Sequence, residues 1–416
     1  MSVVTLNNNQ YCDILKDAIK MSTGYENVDT LDLEGIVDTG HDETIIGSCE
    51  QFTKALFNVL IRDFFIDRKY TAKEWDVWFQ MADQFGALLR VISCEIPEVE
   101  ESAAWQDFGY GEGQKGEIGV YKVYLPQISA QVFGKSTSFQ LAISVTGEQW
   151  DTAFHDATEL RSFVNYIMMM VGNGIAQHLE NMARITRNNL IGELVDYAEH
   201  VPGRTGVHKV NLVEKYVKEV GDPTQDYTVS EYLASAEAMR HGAEKLRLFQ
   251  QYLEVPSVKY NIGGKNRFTP KENQVLQVLS YFAERMRSVS YADTYNVGEV
   301  PMDDGVGTFQ IVPFWQGEGA DENDFAQISK IDIETGSDGT AVSKSGIVAL
   351  LADRYACMHT IVSRRVVSKY FEPEDITTTW YQFVDRSMCN TSCNAIVFTL
   401  EDYTAPTQNA NNRAKK

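Results

Sequence analysis

"NYIMMMVGNGIAQHLENMARITRNNLIGELV", residues 165–195, is the stretch on which the rest of the chain turns. Extended to Glu159, its apolar positions run Leu160, Phe163, Val164, Ile167, Val171, Ile175, Leu179, Met182, Ile185, Leu190 and Leu194. Steps of three and four predict one long amphipathic helix, with Arg161, Asn165, Gln177, Glu180, Asn181, Arg184 and Arg187 on the opposite, polar face. At 1.5 Å per residue, forty residues make a rod of about 60 Å, longer than a small domain is wide. Gly172 and Gly174 each cost about 1 kcal/mol inside a helix, so they predict close packing or a bend. The three methionines read as filling for an irregular core. The stripe is not a strict heptad with charged flanks, which argues against a coiled coil.

Before this rod the period changes. "ALLRVISCEI" (87–96) and "STSFQLAISV" (136–145) alternate as strands, the second with Phe139, Leu141, Ile143 and Val145 on one face. Between them lie about forty residues rich in glycine, acid and aromatics, read as a long two-stranded arm with Trp105, Phe108 and Tyr110 at its tip. Such a ribbon is marginal in water by itself, so it needs a surface that its own sequence does not supply. Residues 1–48 are acidic and read as a partly helical arm with too little core to stand alone. "CEQFTKALFNVLIRDFFI" (49–66) carries a helical stripe at Phe52, Leu56, Val59, Leu60 and Phe64.

After "HVPGRTGVHK" (200–209) the pattern is mixed. A helix is predicted over 229–254, where Thr228 and Glu231 have capping-box spacing. A second is predicted after Pro270 in "KENQVLQVLSYFAERMRS", and a third in "SGIVALLADRYACMHTI". "RRVVSKYF", "TTTWYQFV" and "NAIVFTLE" read as strands. Glycine- and acid-rich loops are expected at 292–307 and 316–324, and disorder over the last dozen residues.

The length of 416 residues points to two or three domains, and the fraction of charged residues to a folded chain. Net charge is −21, which argues against a dedicated nucleic-acid binder, because phosphate neutralisation needs clustered Lys and Arg. The Met1 end reads without a signal segment, and no window of about 18 uncharged apolar residues occurs, so a cytoplasm and no membrane are expected. Cys12, Cys49, Cys94, Cys357, Cys389 and Cys393 are scattered, as in a reduced compartment, and Cys389/Cys393 have no histidine or second pair beside them for zinc.

"VDTG" at 37–40 matches one half of an aspartic-peptidase dyad, with Asp38 as the carboxylate. No second Asp-Thr-Gly exists, so only a homodimer supplies the partner, and a turn at Gly40 is the better account. "FGKST" (133–137) ends like a phosphate loop but lacks the leading glycine and precedes a strand; "GYGEGQKG" (109–116) has the glycines but lies in the middle of the arm, and "IGGK" (262–265) is incomplete. His155, His178, His200 and His208 fall on or beside the rod, on its polar side, and do not cluster with the others. No catalytic constellation, metal site or cofactor emerges.

The order of features resembles the major capsid proteins of tailed bacteriophages, with the Hong Kong 97-type fold shared with encapsulins. "STSFQLAISVTGEQWDTAFHDATELRSFVNYIMMMVGNGIAQHLENMARITRNNLIGEL" (136–194) is similar to the stretch joining the extended loop to the spine helix in capsid proteins of gut-associated phages. "VLSYFAERMRSVSYADTYNVGEV" (278–300), "VPFWQG" (312–317) and "GIVALLADRYACMHTIVSRRVVSKYF" (346–371) are similar to later segments of the same group. The resemblance implies an α+β chain: N-terminal arm and first helix (1–66), start of a peripheral domain (67–87), extended loop (88–148), peripheral domain with the spine helix (149–225), axial domain (226–360) and returning strands with the tail (361–416).

It further implies a non-enzymatic structural subunit of an icosahedral capsid, assembled from hexamers and pentamers in the host bacterial cytoplasm and resident in the virion. Its partners are then copies of itself, a portal, scaffold or decoration proteins, and packaged DNA through weak, non-specific contact. Trp105, Phe108, Tyr110, Arg184 and Arg187 are the expected inter-subunit contacts. The alternatives are an encapsulin-like compartment shell and, from a different class, the Asp38 peptidase. One family member cross-links its subunits by lysine–asparagine isopeptide bonds. Lys115, Lys122 and Lys135 are the right donor type here, but no acceptor asparagine or catalytic glutamate matches, and the activity is not carried over.

Overall fold

A computed structural model of the protein describes residues 13, 15–20, 74–81, 89–94, 128–133, 137–147, 157–204, 206–293, 307–316, 324–335 and 340–406. The arm tip with Trp105, Phe108 and Tyr110, the motif around Asp38, the helix expected at 49–66, His155 and the three arm lysines lie outside them. The chain divides into two units, the first of residues 1–86, 135–185 and 358–387, the second of 87–134, 186–357 and 388–416.

The expected rod exists as one helix, α1 (Ala157–His200), of 44 residues. In the first unit it accompanies a four-stranded sheet made of β1 (Phe79–Met81), β4 (Thr137–Thr146), β11 (Cys357–Phe371) and β12 (Ile376–Cys389), in the order β1-β11-β12-β4. β4 and β12 pair antiparallel over ten positions, from Ile376↔Thr146 to Asp385↔Thr137. Cross-strand partners share a face, so Phe139, Leu141, Ile143 and Val145 stand opposite Phe383, Tyr381, Thr379 and Thr377. Ile143 and Val145 are buried on that face, as the alternation predicts.

The same face receives α1. A Cβ added at Gly174 would meet Leu141 Cδ2 at 3.0 Å, the His178 ring lies 4.3 Å from that of Phe139, and His178 Nε2 is 2.8 Å from Asp385 Oδ2. One glycine of Gly-Asn-Gly is thus explained by close approach of helix to sheet. Val171, Ile175 and Leu179 are buried on the helix as expected, whereas Ile185 is exposed. The helix is held from a second side by residues 74–78, where Trp75 and Trp78 are buried.

His359, on β11, is fully buried, stacks on Trp75 at a ring distance of 4.5 Å, and has Nδ1 3.0 Å from Ser387 Oγ. Its Nε2 has no hydrogen-bond partner, and burial depresses its pKa to about 4. An imidazole kept neutral when folded but free to protonate when unfolded stabilises the fold above the unfolded value near 6.5. That stability is lost as pH falls towards 4 and amounts to about 3 kcal/mol in full. The stability difference between wild type and His359→Gln, from urea unfolding at pH 7 and pH 4, should shrink by about that amount. An unchanged difference would mean that another group titrates.

The second unit is built on a five-stranded sheet, order β5-β13-β10-β6-β7. Its strands are β5 (Lys209–Asn211), β6 (Gln274–Leu279), β7 (Thr308–Val312), β10 (Ile347–Asp353) and β13 (Ala395–Thr399). β5 runs parallel to β13 and β7 parallel to β6, while β10 is antiparallel to both its neighbours. Around it lie α2 (Leu212–Glu219), α3 (Val229–Ala234), α4 (Ala236–Glu254), α5 (Ser280–Asp293) and the short α6 (Phe325–Ile328). Two separate pairs complete it, β2 (Leu89–Cys94) with β3 (Ile128–Phe133) and β8 (Ile331–Thr335) with β9 (Thr340–Lys344).

Two helix expectations are corrected here. "QVLQVL" is β6 and "IVALLAD" is β10, strands at the middle of the sheet in which nearly every residue is buried. Burial on both faces erases the alternation that distinguishes a strand, and the i, i+3 glutamines imitate a helical polar face. Both glutamines instead donate inside: Gln277 Nε2 to Gln310 Oε1 across the parallel pair at 2.7 Å, and Gln274 Nε2 to the carbonyls of Gln250 and Thr269. The predicted helix over 229–254 is two helices. The Thr228–Glu231 capping box is present, but Ser235, with φ −88° and ψ 121°, ends α3 and caps α4 through its Oγ.

Candidate assembly surfaces

β2 and β3 form an antiparallel hairpin base, from Leu89↔Phe133 to Cys94↔Ile128. Because partners share a face, Arg90, Ile92, Ile128, Ala130 and Val132 point the same way, and all are exposed. Ile92, Ile128 and Val132 are each more than half accessible. The opposite face is tethered within the second unit: Gln131 Nε2 donates to Ser392 Oγ at 2.6 Å, and the Arg267 guanidinium reaches Ser93 Oγ.

Arg267 is fixed in turn. Its backbone N–H donates to the Ser257 carbonyl and its carbonyl accepts from the Ser257 N–H, while Asn394 Nδ2 donates to the same carbonyl at 3.3 Å. Thr269 donates to Asp353 Oδ2 at 2.9 Å, and burial raises the Asp353 carboxyl against the pull of that bond, of the Tyr355 N–H and of the Arg267 charge. The hairpin therefore presents its apolar stripe from a rigid mount. Neither Arg267 nor Ser392 was legible as an anchor in the sequence, since both partners lie far away along the chain.

The basic residues expected on the outside of the rod are mostly engaged inside their own unit. Arg184 Nε lies 3.5 Å from Glu74 Oε1 and its Nη2 3.3 Å from Glu180 Oε1, while the Glu74 N–H donates to Glu180 Oε2 at 3.3 Å. Glu74 is buried and Arg184 partly exposed. Arg187 is placed differently from the expectation: it is fully buried, donates Nη2 to the Trp315 carbonyl at 2.7 Å, bonds Asn188 Oδ1, and lies 4.8 Å over the Trp315 ring.

Lys209, nearly buried, bonds Glu199 Oε1 and Glu401 Oε1, both at 2.6 Å, and Lys344 Nζ lies 2.6 Å from Glu199 Oε2. Burial alone would lower the Lys209 ammonium, but the two carboxylates outweigh it and raise it; burial would likewise raise Glu199, which Lys209 and Lys344 hold below its usual range. This network ties the last turn of α1 to β5, β9 and the segment after β13. Arg204 lies 6.0 Å over the Tyr197 ring.

His208, expected on the polar side of the rod, is instead fully buried. The pairs His178–Asp385 and His359–Ser387 are packed against aromatic rings rather than opened to a cleft. No group of three or more metal-ligating side chains occurs among the described residues. Cys357, Cys389 and Cys393 are free thiols, and burial pushes Cys393 up to about 12.

Solved phage structures are similar to this chain at low identity. A chain of the Staphylococcus phage Andhra capsid aligns with TM-score 0.46 and 12% identity, covering 77% of this chain and 83% of that one. Cyanophage P-SCSP1u gives 0.41 and 12% over 78% and 86%, and Mycobacterium phage Bobi 0.41 and 8% over 82% and 94%. No curated protein sequence matches the chain. The family model described as Phi29-like phage major capsid protein matches residues 15–399. That match covers both units and the whole of α1, and it leaves the compartment-shell and peptidase alternatives without support: the chain belongs to the Phi29-like phage major capsid protein family and is a structural subunit of a bacteriophage capsid.

Proposed function

We propose that this subunit closes icosahedral shells by lending its arms to its neighbours, in hexamers and pentamers of a Hong Kong 97-type fold. The observation that carries the reading is the outer face of the β2–β3 hairpin, where Ile92, Ile128 and Val132 stand in water on a mount tethered by Gln131 and Arg267. Exposed apolar side chains aligned on one rigid face mark an interaction surface. A thin shell requires such surfaces, since each tile is stabilised by what its neighbours cover.

In this reading, residues 1–66 are an N-terminal arm, 88–148 the extended loop between the two parts of a peripheral domain (67–87 and 149–225) that holds α1, 226–360 the axial domain and 361–416 the returning strands. Trp105, Phe108 and Tyr110 supply the apolar tip of the loop, and Arg184 an ionic contact at the helix surface. Arg187 acts from within its own subunit. The role is structural rather than catalytic. Assembly takes place in the host cytoplasm with a portal and scaffold or decoration proteins, and the packaged DNA is touched only weakly, because the subunit carries −21. No helix among the described residues is long and apolar enough to cross a membrane.

Deleting residues 100–119 tests the reading. The shortened subunit should stay soluble and fold, yet form no closed shells in negative-stain images or sedimentation runs in which wild type does. Normal shells from the deletion would refute the role given to the arm.

A further inference from the structure

The segment between α4 and β6 carries a charge opposite to that of the whole chain. Residues 255–271 hold Lys259, Lys265, Arg267 and Lys271 and no Asp or Glu, in a protein of net charge −21. The segment folds back as a small antiparallel ladder. Ser257 and Arg267 exchange both backbone hydrogen bonds, at 2.9 and 3.2 Å, and the Asn261 side chain closes the turn on the N–H and carbonyl of Lys265. Gly264, at φ 61°, supplies the left-handed residue that this turn requires. Backbone bonds from Ile262 to Thr391 and from Ala395 to Tyr260 fix the tip to the body of the unit.

Residues beside a bonded pair point away from it, so Pro256, Val258 and Phe268 share the opposite face of the ladder. All three are exposed, and Val258 and Phe268 are each 50% accessible, next to exposed Val255 and Tyr252. The result is an ordered projection that carries Lys259 and Lys265 beside exposed apolar side chains, while Lys271 lies 3.9 Å from Glu254 and Arg267 turns to Ser93.

Its complement lies in the same unit. Residues 221–237 contain Asp222, Asp226, Glu231 and Glu237 and no Lys or Arg, and these four carboxylate residues are exposed. Hydrogen bonds from Thr224 hold the Asp222 carboxyl below its usual range, and bonds from Thr228 do the same for Glu231. The acidic segment leads into the first turn of α4 and the basic tip follows the helix. The remaining helical residues 238–254, about 26 Å of helix, separate the segment from the tip, so a single subunit cannot bring them together.

We propose that the 255–271 tip of one subunit docks on the 221–237 segment of a second copy of this chain. Two different patches meeting head to tail make a heterologous contact, which closes into a ring when the rotation allows. The proposal rests on the shell reading and assigns one of its contacts. Opposite charges steer and orient the approach, and the exposed Val258 and Phe268 supply apolar area that a phosphate backbone would leave wet. That asymmetry favours a protein partner over DNA.

Charge exchange tests it, in conditions where wild type forms shells. Lys259→Glu with Lys265→Glu should keep the circular-dichroism spectrum and solubility of wild type but reduce assembled particles at least about tenfold, by sedimentation. Adding Asp222→Lys and Asp226→Lys to the same chain should restore assembly, which a folding defect would not allow. Normal shells from the first variant, or no recovery in the fourfold variant, would overturn the contact. Normal shells that hold less DNA would overturn it in favour of a DNA-contacting tip. Failure of the wild type to assemble would overturn the shell reading and this contact together.

Discussion

Ile175→Asp should yield no soluble, assembly-competent subunit. Ile175 is 3% exposed on the stripe of α1 that includes Val171 and Leu179. Its chain neighbour Gly174 packs so closely on Leu141 of β4 that an added Cβ would meet Leu141 Cδ2 at 3.0 Å, so this turn of α1 lies against the sheet. Removing the isoleucine forfeits about 2–3 kcal/mol of burial. An aspartate in its place adds an uncompensated charge whose effective desolvation penalty is several kcal/mol. The sum rivals the roughly 5–15 kcal/mol that holds a typical domain together. Ile175→Val, which keeps the shape and removes one methyl, should cost only about 0.5–1.5 kcal/mol and assemble normally. Soluble fractions and sedimentation of the two variants decide the matter; wild-type behaviour of the aspartate variant would mean that this part of the stripe faces water.

The long helix, the alternation of β4 and the capping box at Thr228 were all readable because each has one wet face and one dry face, so sequence period maps onto geometry. β6 and β10 were not, for the opposite reason. Buried on both sides, they present an unbroken apolar run, and only the pairing of Leu350 with Gln277 and of Leu351 with Leu276 makes them strands. The histidines show the same limit. His208 lies near the rod in sequence but is buried near the Ala395 carbonyl of β13, a neighbour 187 residues away. The surfaces were legible in part: the ribbon without a core of its own could be read from composition, whereas its anchors, Arg267 and Ser392, could not. Nor could the tip at 255–271, where "IGGK" invites a phosphate-loop reading and the operative features are a backbone ladder and its charge.

Arg187→Ala should destabilise the subunit by about 2–5 kcal/mol before any question of assembly arises. The guanidinium is fully buried and bonds the Trp315 carbonyl and Asn188 Oδ1, while lying over the Trp315 ring. Trp315 in turn donates its indole N–H to the Ile347 carbonyl at the start of β10, so Arg187 couples the second unit's share of α1 to its central sheet. Truncation leaves Asn188 Oδ1 without these two donors, opens a cavity the size of an arginine stem and removes a desolvated cation–π contact. Arg187→Met should recover much of the loss, because it keeps the stem volume that the alanine variant leaves empty. Melting of the isolated subunit therefore should rank wild type and Arg187→Met close together, with Arg187→Ala well below. Equal melting of all three, with assembly lost in both variants, would place Arg187 at a subunit boundary instead; the burial of its side chain and its 2.7 Å bond to Trp315 argue for the core.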